Sequence, residues 1–158
     1  MPKPIQLARL AIANEVILCV ARHGRKFFSS HGDERVQNYP ERFSHFEYGD
    51  GLKPRLKFRD KYTWKLIDIS QPHRWRGFSD GGTLRAIVEM LAGYIVRGKP
   101  ISNHFGPWHK DLCGGDLWGY GIPAAEAMRA EMNPIIERAT ALVDPSHEVA
   151  AKLNGEGK

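Results

Sequence analysis

The sequence predicts an α+β domain: a three-stranded antiparallel meander with helices packed on one face and a long Gly/Trp-rich loop. Three observations predict it. Apolar residues recur at three- and four-residue steps in residues 5–23 and 81–97, the period of a helix with one buried face. Between Phe43 and Ile69, three runs of aromatic and branched residues are split by Gly49-Asp50-Gly51 and Asp60-Lys61, as in consecutive hairpins. The elements follow in the order helix, three strands, helix, long loop, helix, which places helices on one face of a small sheet. With 158 residues and 42% hydrophobic composition the chain can bury one core, so residues 1–143 form a single domain. Residues 144–158, ending NGEGK, read as a solvated, flexible tail.

In the first helix, residues 5–23, the apolar stripe is Ile5, Ala8, Ile12, Val16, Cys19 and Val20, with Gly24 placed for a left-handed cap. Asn14 offers an alternative, as the cap of a second, shorter helix. Phe27 and Phe28 suit a short strand, and HGDERVQNYPE has loop chemistry. Register decides what the sheet exposes, because a slip of one residue exchanges the faces of a strand. A two-residue turn at Asp60-Lys61 pairs Arg59 with Tyr62 and mixes cations with aromatics. A three-residue turn pairs Phe58 with Trp64 and Leu56 with Leu66, leaving Arg55, Lys57, Arg59, Thr63 and Lys65 on the other face. The second is preferred, since it gives the helices an apolar face to cover and the charges a wet one. It sends Tyr48, Phe58 and Trp64 to the core.

Residues 81–97 form the next helix, with Leu84, Ile87, Val88, Leu91 and Ile95 in one stripe, Gly98 as its stop and Pro100 behind it. The last begins near Pro123 and runs through Met128 and Met132; Asn133-Pro134 kinks it or starts a new helix capped by Asn133.

The loop between these helices, HFGPWHKDLCGGDLWGYG, gathers His104, His109, Cys113 and Asp116, residue types that zinc accepts, with Asp111 available as a base. Zinc is thus a possible cofactor of this loop. Pro107 and Gly106 break the helix that would align the two His, and no Cys-x-x-Cys knuckle is present, so the favoured reading is a structured loop without cofactor. Phe105, Trp108, Leu112, Leu117 and Trp118 would anchor it, and its glycines would permit the turns. GFSDG, residues 77–81, matches a nucleophile-elbow pattern, but no buried strand leads into Ser79, and capping of the following helix by Ser79 or Asp80 explains it better. Gly81-Gly82 behind Arg74 and Arg76 could instead hold an anion at the helix start.

The net charge of +5 favours polyanionic partners by long-range attraction. Arg55, Lys57, Arg59, Lys65, Arg74 and Arg76 form the basic set that would meet nucleic acid or a partner, and Trp108 is the candidate aromatic anchor. Asn14 and Glu15 interrupt the apolar part of the N-terminal stretch, and no run of roughly 18 apolar residues suggests a membrane span. The two cysteines lie in unlike contexts and read as reduced thiols, so the expected setting is the cytoplasm.

The segments RWRGFSDGGTLRAIVEMLAGYI, GKPI and HFGPWHKDLCGGDLWGYG, within residues 73–121, are similar to a set of short, uncharacterised proteins of bacterial phages, prophages and plasmids. The resemblance carries over no catalytic or binding residue. It implies a mobile-element setting, in which small basic proteins act on host nucleic-acid machinery or defence systems. The expectation is therefore a non-enzymatic binding protein that engages a host protein or nucleoprotein complex, with direct DNA or RNA binding and a zinc-dependent hydrolase or nuclease as the alternatives.

Overall fold

The computed structural model describes residues 2–23, 43–50, 54–61, 63–69, 82–101 and 122–146. Three helices, α1 (Pro4–His23), α2 (Gly82–Arg97) and α3 (Ile122–Ala141), accompany a sheet of β1 (His45–Tyr48), β2 (Leu56–Arg59) and β3 (Leu66–Asp68). The fold is α+β. The sheet is an antiparallel meander in the order β1-β2-β3.

Pro4 opens α1, where a missing N–H costs nothing and the fixed φ suits the first turn. The helix is apolar almost all round, so its pattern alone does not choose a buried face. The fold buries Ile12, Val16, Cys19 and Val20 as expected, together with Arg9, Ala13 and Ile17, whereas Ile5 and Ala8 stay exposed. By length and composition α1 could cross a membrane, contrary to the expectation that no stretch qualifies. Its polar residues nevertheless have partners within the fold. Asn14 does not cap a second helix: its side-chain nitrogen donates to the Phe46 carbonyl at 3.0 Å, and its oxygen accepts the Phe46 N–H at 2.7 Å. The carboxamide thus pairs with Phe46 of β1 as a peptide unit of a fourth strand would, on the side away from β2. Glu15 takes both guanidinium nitrogens of Arg138 on α3 at 2.8 and 2.9 Å, and Arg22 pairs with Glu131.

Within α2, Ile87, Val88, Leu91 and Ile95 of the predicted stripe are buried, joined by Ala92 and Tyr94, and the side chain of Leu84 lies outside those described. Gly98 ends the helix at φ +69°, its N–H donating to the Tyr94 carbonyl at 2.9 Å, the left-handed cap that the sequence signalled. The Gly98 carbonyl then accepts the Asp144 N–H at 2.9 Å, so the chain after α3 is tied to the end of α2 at the position where the tail was expected to begin. Arg9 fills this junction. It is only 5% exposed, and its Nε donates to the Leu142 carbonyl at 2.8 Å. Burial pushes the Tyr48 and Tyr94 phenols up, Tyr94 to about 12, against the opposing pull of the nearby Arg9 charge. Tyr94 also donates to the Ala139 carbonyl at 2.8 Å, tying α2 to α3.

The helical assignment of α3 continues through Asn133 and Pro134, with no new helix starting there. Both residues are exposed, so water can reach the Ala130 carbonyl that Pro134 leaves without a helical partner. Met128, Met132, Ile135 and Ala139 face the core, and the buried Cys19 thiol lies 3.9 Å from the Met128 carbonyl. Burial and the neighbouring Glu131 charge, against Arg22, raise that thiol to about 12, which makes it an unreactive core group.

Candidate functional site

Alternation along β2 divides the sheet. Leu56 and Phe58 point into the core with Phe46, Ile67 and Ile69, and the Phe46 and Phe58 rings pack across strands at 5.3 Å. Arg55, Lys57 and Arg59 belong to the opposite, outer face, as the sequence predicts. The second hairpin differs from expectation. Phe58 pairs with Ile67 and Arg59 with Leu66, so β3 starts at Leu66, and Trp64 is neither opposite Phe58 nor in the core.

The cause is the Asp60 turn. Its Oδ2 accepts the Thr63 N–H at 2.9 Å and the Thr63 hydroxyl at 3.1 Å, and its carbonyl accepts the Trp64 N–H at 2.9 Å. The Asp60 N–H closes the loop on the Lys65 carbonyl at 3.0 Å. Residues 60–65 are thereby spent in one hydrogen-bonded loop rather than a three-residue turn. Trp64 is held at φ +56°, a left-handed conformation rare for a bulky side chain, and is 37% exposed.

Around Trp64 the outer face is built tightly. Arg59 donates from Nη1 to the Trp64 carbonyl at 3.0 Å, and its guanidinium carbon lies 5.4 Å from the Trp64 ring centroid. The His45 ring meets Trp64 edge-on, with centroids 5.9 Å apart. Glu47 ties the group together, with Oε1 3.2 Å from Arg59 Nη2 and Oε2 2.8 Å from His45 Nε2. Burial alone raises the Glu47 carboxyl, but the His45 hydrogen bond and the Arg59 charge outweigh it and hold the group below its ordinary value.

Charges alternate across the strands. Register places Lys57 between Glu47 on β1 and Asp68 on β3, and Arg55 Nη1 lies 3.4 Å from Asp68 Oδ2. The Lys57 side chain runs over Gly49, its ε-carbon 3.2 Å from where a Cβ there would stand. Lys65, expected on the outer face, pairs instead with Asp60 at the end of the β2–β3 ladder, and the changed register turns it to the side of Phe58 and Ile67, where it is exposed.

Of the residues singled out from sequence, the structure brings Arg55, Lys57 and Arg59 together on this face and leaves Lys65 off it. Arg74, Arg76 and Trp108 lie outside the described residues, as do Ser79 and the zinc set His104, His109, Cys113 and Asp116. Among the described residues no group of three or more His, Cys, Asp or Glu could hold a metal. Sequence reasoning missed Trp64, His45 and Glu47 as members of the site. The available signal was Asp60 followed three residues later by Thr63, a pattern that makes a side-chain-closed turn and lifts the next residue out of the strand.

The arrangement combines an exposed indole, a guanidinium over it, an imidazole at its edge and paired charges on the neighbouring strands.

A family model named YoqU matches residues 4–157. The chain belongs to the YoqU family. The match embraces all three helices, the sheet and the outer face, so the face just described is part of a YoqU domain rather than of an appended segment. No curated protein and no solved structure matches the chain significantly.

Proposed function

We propose that this YoqU-family chain is a non-enzymatic binding protein of a mobile genetic element. It works in the host cytoplasm and engages a host protein or nucleoprotein complex through the outer face of its sheet. One observation carries the reading: Trp64 is held on the surface in a left-handed conformation, braced by Arg59 and His45. Such a conformation costs on the order of 1–3 kcal/mol, and the cost is maintained here by a turn whose hydrogen bonds leave the indole outward. Trp and Arg are also the residue types that dominate binding energy at protein interfaces. The resemblance of residues 73–121 to phage, prophage and plasmid proteins supports the setting.

Direct nucleic-acid binding is the second reading, favoured by the net charge and by the cation stacked on an indole. Against it, Glu47 and Asp68 stand within 3.2 and 3.4 Å of the guanidiniums of Arg59 and Arg55, so a phosphate approaching either cation meets a carboxylate. Affinity capture from host extract separates the readings. A partner recovered by the wild type and by Lys99→Ala, and lost with Trp64→Ala, supports the proposal. Equal recovery with Trp64→Ala refutes it, and recovery abolished by nuclease transfers the role to nucleic acid.

A further inference from the structure

We draw no further inference here: the strongest candidate, the exposed apolar strip that Pro4, Leu7, Ala11 and Leu18 form along α1, is an unpartnered helix face, and nothing among the described residues shows what covers it.

Discussion

Gly98→Ala tests the junction at which α2, α3 and α1 meet. The substitution has two costs. An alanine at φ +69° sits in the left-handed region, at about 1–2 kcal/mol. Its Cβ would also stand 2.6 Å from Arg9 Nη2, 2.8 Å from Arg9 Cζ and 2.9 Å from Asp144 Cβ, closer than real Cβ contacts come. Arg9 is a long side chain that would normally step aside, but here it is buried and its Nε is held by the Leu142 carbonyl. Displacing it forfeits a charged hydrogen bond of about 1.5–3 kcal/mol. Together the two costs reach roughly 3–5 kcal/mol, a large share of the stability of an ordinary domain. Urea unfolding of Gly98→Ala, Arg9→Ala and the double variant reads both parts. Because Arg9→Ala removes the collision with the guanidinium, adding Gly98→Ala to it should cost only the left-handed penalty and the remaining contact with Asp144 Cβ, and the double variant falls short of the sum by about 2 kcal/mol. A Gly98→Ala cost below 1 kcal/mol, or strict additivity, would refute the reasoning.

Asn14→Leu keeps the volume but leaves the Phe46 N–H and carbonyl unpaired, and should lower stability by about 2–4 kcal/mol in urea unfolding. Trp64→Gly relieves the left-handed strain while losing the Arg59 and His45 contacts, so the thermal midpoint should hold or rise as partner capture disappears. In alkali, Cys19 at about 12 against 9.0 and Tyr94 at about 12 against 10.0 both resist ionisation only when folded. Their contribution is complete below pH 9 and is lost as pH rises toward 12. For Cys19 it amounts to on the order of 4 kcal/mol, so Cys19→Ala should flatten the decline in urea midpoint between pH 9 and 11. In acid the sign reverses: the depressed Glu47 group contributes above its unfolded value near 4.5, and that stability is lost as pH falls below it. Glu47→Gln should make the urea midpoint less sensitive to pH there.

What the sequence revealed and what it hid divide along the range of the interactions. The α2 helix, its apolar stripe and its Gly98 cap are legible because they depend on neighbours three to five residues apart. The inner and outer residues of β2 are legible from alternation. The start of β3 is not, because it depends on how many residues the Asp60 carboxylate draws into its loop, and a loop of six instead of three moved Trp64 from core to surface. The buried apolar stripe of α1 begins at Ile12 rather than Ile5, since an all-round apolar helix takes its buried face from its partners. Arg9 illustrates the same limit: nothing local announces that an arginine will be buried against residues far along the chain. For the site, Arg55, Lys57 and Arg59 were readable as one face, while the acids that temper them, and the turning away of Lys65, became visible only with the register.

The pairing of α1 with α3 has a consequence for biosynthesis. About a hundred residues separate the two helices, so at roughly 5–20 residues per second α1 leaves the ribosome several seconds before the helix that covers it exists. During that interval an apolar segment waits without its cover, open to chaperones and to other nascent chains. Arg9, Glu15 and Arg22 are then the charges that the segment carries before the Leu142 carbonyl, Arg138 and Glu131 are there to meet them.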